Sequence, residues 1–331
     1  MVGPPLGGFI ISTLNWNYIF LINVPIGILT FFMAIKMFPI MHEKNDEKLD
    51  YRGAFLFALV IIPLFSSLIF GQKIGYEKPK IILGLIISII SMSLFIKVEL
   101  DQKMPMLELR LFKNHLFTMS IFCGFICAIA TSCLIIIQPF YLQDVLKLTP
   151  AIAGLFMMIA PIVLALVAPL SGYFSDKIGS ELLTLFGLAF TSLGLILMAT
   201  LNENSKLNLL VIFVIILSIG NGLFQSPNSS LVMSSVPINK LGIAGSMNSL
   251  VRNIGLVLGI SLSMGILYRG MSLKIGYRVF NYINGRDDVF IFGMKYVYIY
   301  SSVICLIGAF LTAFRLHQRY TKKEVGGKEL S

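Results

Sequence analysis

The sequence predicts an all-α integral membrane protein with about ten transmembrane helices, the first of them shortened. Hydrophobic residues make up 56% of the 331 residues and charged residues 13%, whereas soluble proteins average about 45–50% and about 25%. Apolar segments of roughly 20 residues, the length that a helix needs to cross a bilayer, recur along the whole chain. All 16 acidic residues fall between these segments or at their ends. A soluble domain of this size could not bury so much apolar surface.

Each predicted helix is an apolar stretch that fits the thickness of the bilayer core, except the shortened first one. The first stretch does not resemble a signal peptide, because no Lys or Arg precedes Lys36. The predicted ranges are 2–14, 18–35, 53–71, 81–98, 116–137, 151–174, 182–201, 207–226, 241–267 and 297–314.

Charged loops divide the predicted helices into groups. Residues 1–37 hold two helices, residues 38–115 hold two helices with charged loops on either side, and residues 116–314 hold six. Residues 315–331 form a basic tail. Lys and Arg near helix ends stay on the cytoplasmic side of a membrane, and this rule predicts a cytoplasmic position for the tail and for the loop 38–52. The net charge of +10 is then explained by this topology and by anionic lipid headgroups.

No grouping of residues predicts catalysis, a metal site or a cofactor site. Cys123, Cys127 and Cys133 share one predicted helix and Cys305 lies in another, where a thiol usually packs as a small apolar residue. Cys123 and Cys127 have the i, i+4 spacing of a metal pair, but no His or acid accompanies them. The sequence contains no Ser/His/Asp grouping, no phosphate-cradling glycine loop and no basic patch with exposed aromatic residues. We therefore expect neither an enzyme nor a nucleic-acid-binding protein.

The first two helices carry distinctive motifs. Small residues in the first helix are spaced so that a neighbouring helix can approach closely, and the second helix contains the run Asn-Val-Pro-Ile-Gly at residues 23–27. These motifs resemble the glycine-proline helix and the helix after it in the major facilitator superfamily, specifically in the fourteen-helix drug:proton antiporters of the EmrB/QacA type. The resemblance implies that the glycine-proline motif seals or bends during antiport. Its residues are Gly3, Pro4, Gly7 and Gly8.

The resemblance also implies a partial major facilitator fold that is truncated at its N-terminus and comprises helices five to fourteen. Residues 1–37 are then the last two helices of the N-terminal bundle, and residues 38–115 are a two-helix linker with cytoplasmic loops. Residues 116–314 are the C-terminal six-helix bundle, and residues 315–331 are a cytoplasmic tail. A partner chain could supply the missing helices.

The polar segment between the helices 151–174 and 182–201 resembles the cytoplasmic loop motif of the same family. Gly172 and Gly179 are expected to permit tight backbone turns, and Asp176 can accept hydrogen bonds from helix amides or pair with a base. With Lys177, these residues form a candidate gate for alternating access. The alternative is an ordinary polar hairpin between two helices.

Two polar stripes indicate a substrate pathway. Asn221, Gln225 and Asn228 are spaced i, i+4 and i+7, so they share one face of an apolar helix. Asn248, Arg252 and Asn253 lie in the next helix. A central Arg costs roughly 2.5–3.5 kcal/mol on insertion scales, so Arg252 must face protein or water. A ligand contact, a gate pairing and a structural hydrogen bond to backbone are all compatible with it, and function is the default hypothesis for such a charge.

The predicted function is the efflux of multiple drugs or other lipophilic compounds by alternating access. The protein is expected in the bacterial cytoplasmic membrane. The expected substrate is small and lipophilic or cationic, and the expected coupling ion is the proton, as the resemblance implies. No acid or His lies in the middle of a predicted helix, and Asp144 at the outer mouth is the nearest candidate for coupling. The alternative is a remnant that inserts into the membrane but cannot complete a transport cycle alone.

Overall fold

The computed structural model describes residues 3–14, 17–37, 50–102 and 105–328, without the side chains of residues 4, 5, 73 and 317–328. All regular structure in these ranges is helical. Most of the predicted charged loop 38–52 lies outside the described residues, as does the end of the predicted tail at 329–331.

The described chain contains 12 α-helices. They are α1 (Gly3–Thr13), α2 (Tyr18–Leu21), α3 (Asn23–Met37), α4 (Tyr51–Ile74), α5 (Pro79–Asp101), α6 (His115–Phe140), α7 (Pro150–Met157), α8 (Ile159–Ile178), α9 (Ser180–Met198), α10 (Leu207–Ser234), α11 (Leu241–Ile275) and α12 (Asp287–Lys328). Within the described ranges, 9 segments are long and apolar enough to cross a membrane, with α2 and α3 forming one and α7 and α8 another. The prediction of an all-helical membrane protein whose first helix is shortened is confirmed.

The last helices are longer than predicted. The helix α11 continues to Ile275 and α12 begins at Asp287, so the predicted outer connection of residues 268–296 shortens to residues 276–286. Arg315, predicted in the tail, lies inside α12. An apolar window marks only the part of a helix inside the hydrocarbon core, whereas backbone hydrogen bonding continues into the polar flanks. The end of α11 is set by Gly276, which adopts a left-handed φ of 88° and donates to the Ser272 carbonyl.

Glycines allow the helices of the 116–314 group to pack closely. A Cβ at Gly187 of α9 would lie 2.5 Å from the Phe224 amide of α10, and one at Gly194 would lie 2.6 Å from Leu217 Cα. A Cβ at Gly220 would collide with the backbone of Thr191. We call Gly187, Gly194 and Gly220 the glycine seam. Backbones touch there directly, which is how membrane helices associate where small residues face each other.

Of the remaining helices, α1 and α4 contact this group directly. The helices α4 and α5 pack on each other, with the Ser88 hydroxyl donating to the Val60 carbonyl at 2.9 Å. The helix α4 reaches α11 through Gln72, whose Nε2 donates to the Ser261 carbonyl. The helix α1 packs on α7. No residue of α3 is buried, so its apolar side chains face outward.

Candidate functional site

A cavity of about 170 Å³ lies between α6, α8, α10 and α11. The polar stripes of α10 and α11 meet in its wall. Small or apolar residues of α6 and α8 also line it, including Gly124, Cys127, Thr131 and Leu164. Five of the six predicted pathway residues line this cavity: Asn221, Gln225, Asn228, Asn248 and Arg252. We call it the amide cavity.

The amide cavity depends on a glycine in α6. A Cβ at Gly124 would lie 3.2 Å from Asn228 Nδ2 and 3.8 Å from Asn248 Oδ1. Both amides therefore approach the backbone of α6 at the same point, although they come from different helices. A larger residue at position 124 would extend into the space that the two amides border.

Arg252 supplies the positive charge in the wall of the amide cavity. Its side chain is exposed, and within the described ranges no hydrogen bond or ion pair to it is present. Three roles were considered for Arg252 above, and one of them was a structural hydrogen bond to helix backbone. Among the described residues, Arg252 makes no such bond. A guanidinium carries five N–H donors in a planar fork, so Arg252 can offer several donors to a ligand or to water.

The sixth predicted residue, Asn253, is exposed and does not line the amide cavity. It follows Arg252 directly, and successive residues of an α-helix point about 100° apart.

Sequence reasoning also missed the α6 wall, because Cys127 was assigned to core packing alone. Cys127 Sγ lies 3.9 Å from Asn221 Oδ1. The spacing of Gly124, Cys127 and Thr131, at i, i+3 and i+7, is the signal that identifies this face.

A second cavity, of about 370 Å³, adjoins the first. Its wall is mainly apolar and includes Leu134, Ala160, Pro161 and Leu217, together with Gly3 of α1. We call it the apolar cavity. Because Leu164 and Asn221 line both cavities, a polar and an apolar compartment meet at these two side chains.

The glycines of the glycine-proline motif have two different environments. Gly8 packs so closely on α7 that a Cβ would collide with the Pro150 carbonyl, whereas Gly3 and Gly7 have no neighbouring atom within 4 Å of a Cβ position. The side chain of Pro4 lies outside the described residues. Among these glycines, only Gly8 makes the close helix contact that the spacing predicted, and Gly3 and Gly7 do not.

The candidate gate contains one tight turn rather than two. Gly179 connects α8 and α9 with a φ of 96°, a conformation that favours glycine. The turn predicted at Gly172 is wrong, because α8 continues through this residue to Ile178. Asp176 is exposed, and Lys177 Nζ lies 4.4 Å from the centre of the Tyr173 ring.

A buried ion pair beside the candidate gate was not predicted. Glu181, in the first turn of α9, lies 3.8 Å from Nε of Arg315 of α12, and the two side chains are only 10% and 11% exposed. Nη1 of Arg315 also donates to the Ser120 hydroxyl of α6 at 3.3 Å. The cluster joins three helices at one end of the bundle.

A proline in α10 creates a further contact next to the amide cavity. Pro227 has no N–H, so the Leu223 carbonyl four residues earlier loses its helical donor. The buried Ser171 hydroxyl of α8 donates to this carbonyl at 3.2 Å. Neighbouring helices commonly satisfy a carbonyl freed by proline in a membrane protein.

Asp144 lies at the opposite end, in the π turn Tyr141–Val145 that follows α6. The Tyr282 hydroxyl, which has a single proton, lies within hydrogen-bond distance of the Asp144 carbonyl, at 3.1 Å, and of Asp287 Oδ1. Burial raises the pKa of Tyr282, and the hydrogen bond to Asp287 raises it further. Asp144 is partly buried rather than fully solvated, but it lines neither cavity.

Residues 1–260 match the family model described as Major Facilitator Superfamily. The chain is 30% identical to the riboflavin transporter RibZ of Clostridioides difficile over 98% of this chain and 68% of that protein. It is 28% identical to the multidrug resistance protein Stp of Mycobacterium tuberculosis over 82% of this chain and 51% of that protein. It is 22% identical to the lincomycin resistance protein LmrB of Bacillus subtilis over 93% of this chain and 65% of that protein.

The chain thus spans about half to two thirds of the length of these curated relatives. Their bacterial origin and the 9 apolar helices of the described residues assign it to the bacterial cytoplasmic membrane as a multi-pass protein.

Proposed function

The chain belongs to the major facilitator superfamily, whose members among its relatives are membrane transporters, and we propose that it exports amphipathic small molecules by alternating access. The observation that carries this proposal is the junction of the amide cavity and the apolar cavity at Leu164 and Asn221. A molecule with one apolar end and one hydrogen-bonding end fits such a pair of compartments, as ligand sites combine apolar walls with a few polar groups.

The charge of the amide cavity narrows the proposed substrate class. Arg252 is the charged residue in its described lining, and the other polar groups there are neutral amides, hydroxyls and a thiol. A substrate cation about 4 Å from the guanidinium would meet a repulsion of about 4 kcal/mol at an effective dielectric constant of 20. The cavity therefore favours uncharged or anionic lipophilic molecules over the cationic ones also expected from the sequence.

The names of the relatives are consistent with this substrate class. Two of them are named for resistance to multiple drugs or to lincomycin, and a third is named as a riboflavin transporter. Transport of several drugs and transport of one compound such as riboflavin are both compatible with the cavity pair. The described residues favour amphipathic cargo without selecting between these two.

The helices are proposed to correspond to the fifth to fourteenth helices of a fourteen-helix antiporter. The motif Gly3–Gly8, the pair α4 and α5 between two helix groups, and the Gly172–Gly179 segment support this assignment. Residues 1–37, 38–115 and 116–314 are then the end of one bundle, the linker and the second bundle. The comparisons lend no support to a partner chain, and proton antiport rests on the family resemblance alone.

Transport assays in bacterial cells with Arg252→Ala test the proposal. Three fluorescent dyes of similar size, one uncharged, one anionic and one cationic, are loaded, and their efflux is followed at equal membrane abundance of each protein. Arg252→Ala is expected to slow efflux of the anionic dye at least about tenfold, equivalent to 1.4 kcal/mol. The matched control is Arg269→Ala, which removes an exposed charge from the same helix outside both cavities.

Each outcome separates the hypotheses. Unchanged anion efflux in Arg252→Ala would reject the amide cavity as the substrate site. If Arg252→Ala and Arg269→Ala slow efflux of the anionic dye equally, the effect comes from the charge of the helix rather than from the cavity. If the unmodified chain exports none of the dyes although it is present in the membrane, the remnant hypothesis replaces the transporter hypothesis for this chain.

A further inference from the structure

Two carboxyl groups meet at the ends of α4 and α5, away from both cavities. Asp50 caps α4, and its Oδ1 accepts from the Gly53 amide at 2.8 Å and from Gln102 Nε2 at 3.0 Å. Glu99, near the end of α5, is only 2% exposed, and its Oε2 accepts from the Leu107 amide at 3.2 Å. One oxygen of each carboxyl is therefore bound to donors.

The second oxygen of each carboxyl is buried and has no hydrogen-bond donor. These atoms are Asp50 Oδ2 and Glu99 Oε1. They converge on one point, because a Cβ at Gly53 would collide with both. Gly53 has no side chain to separate them. Two carboxylates that share a site out of water repel each other strongly, and such pairs retain a proton on one member.

The neighbouring charges of the described residues do not neutralise this pair. Arg110 donates to a backbone carbonyl of α5 at 3.2 Å, and Lys240 is paired with Glu108. The other ionisable side chains of the described neighbouring segments are exposed: Tyr51, Arg52, Lys97, Asp101 and Lys113. Among the described residues, no cation bonds to either free oxygen.

We propose that Asp50 and Glu99 form a proton-binding site, in which protonated Glu99 donates to Asp50 Oδ2. The proton resides on Glu99, because Glu99 is more deeply buried than Asp50, and burial disfavours the charged form of a carboxyl. A proton needs only two facing oxygens. Ca²⁺ and Mg²⁺ need about six or more oxygen or water ligands, so the proton is the ligand that this pair of atoms fits.

The site connects three parts of the chain. Asp50 begins α4, Glu99 lies near the end of α5, and Leu107 belongs to the segment that leads to α6. The shared proton therefore holds the ends of the two-helix linker together and ties them to the first helix of the six-helix group. This site is independent of the amide cavity and of the proposed substrate.

Infrared spectroscopy of the purified full chain tests the proposal, since a protonated carboxyl has a C=O stretching band that a carboxylate lacks. At neutral pH, where exposed Asp and Glu are ionised, we expect one such band in the unmodified protein. Glu99→Gln and Asp50→Asn are each expected to abolish it, because an amide donor then satisfies the remaining carboxylate. The control Glu77→Gln, at an exposed site, is expected to retain the band.

Thermal unfolding gives an independent measurement. A carboxyl that stays protonated in the folded state binds more protons than it does in the unfolded chain, so stability falls as pH rises through the folded pKa. The unmodified protein is expected to lose stability as pH rises from the unfolded pKa of Glu, about 4.3, to the folded pKa of Glu99, and Glu99→Gln is expected to remove this contribution to the loss. The proposal is overturned if the band is absent from the unmodified protein or if it persists in both variants. It is also overturned if added Ca²⁺ raises the unfolding temperature and the band is absent, because the pair would then bind a cation rather than a proton.

Discussion

The ion pair between Glu181 and Arg315 offers a test of whether burial or distance determines the strength of an electrostatic contact in this protein. The two charges lie 3.8 Å apart with side chains about one-tenth exposed. At an effective dielectric constant of 20, their attraction is about 4 kcal/mol. Removing one partner leaves a buried charge and typically costs about 3–5 kcal/mol. Glu181→Gln and Arg315→Gln should therefore each destabilise the protein by about that amount.

The double variant is expected to recover most of the loss, because replacing both partners of a buried pair is often close to neutral. Unfolding is measured by titration with a denaturing detergent from a mild detergent, and the four proteins form a double-mutant cycle. Both variants that carry Arg315→Gln lose the hydrogen bond to Ser120. The cost of that bond therefore cancels in the coupling free energy. Because each single change costs about 3–5 kcal/mol and the double change is close to neutral, we expect a coupling free energy of roughly 6–10 kcal/mol.

The pair Arg286–Asp288 provides the matched control. Its atoms are closer, at 2.9 Å, but its side chains are 48% and 46% exposed. Exposed ion pairs are screened by water and salt, so a cycle on this pair should give no resolvable coupling. If the two cycles give equal coupling, or if the buried pair couples by less than about 0.5 kcal/mol, the argument from burial is refuted.

Two further changes probe the surroundings of the amide cavity. Ser171→Ala removes the donor to the Leu223 carbonyl and should lower the free energy of unfolding by about 1 kcal/mol, whereas Ser246→Ala, which loses only a bond within its own helix, should change it little. A cost for Ser171→Ala no larger than for Ser246→Ala would contradict the proline argument. Gly124→Leu should block efflux by filling the cavity, while Gly124→Ala, whose Cβ would need the Asn228 amide to move by only a few tenths of an ångström, should retain it. Normal efflux in Gly124→Leu would mean that the cavity is not the pathway.

The sequence was sufficient to predict the helices and most of the amide cavity. Apolar segments of bilayer length identify the membrane helices, and the i, i+4, i+7 spacing places Asn221, Gln225 and Asn228 on one face before any packing is known. Arg252 was predictable as well, since a charge inside an apolar helix is too costly to face lipid. These predictions needed only information local to one helix.

Features that depend on contacts between distant helices were not predictable. Nothing in the sequence pairs Glu181 with Arg315, because the two residues come from different helices and each lies close to a helix end. Gly172 and Gly179 look equivalent in the motif, yet only Gly179 has a positive φ. Asn253 differs from Arg252 by one position, and only the orientation of α11 determines which of the two faces the cavity.

The glycine seam limits how the substrate range of this protein can be changed by mutation. Gly187, Gly194 and Gly220 leave no space for any side chain between α9 and α10, so substitutions there are expected to compromise folding before they alter selectivity. Thr131, Leu164 and Asn248 line the amide cavity from α6, α8 and α11 and lie outside this seam. A mutant library aimed at new cargo should therefore vary those three positions and leave the seam intact.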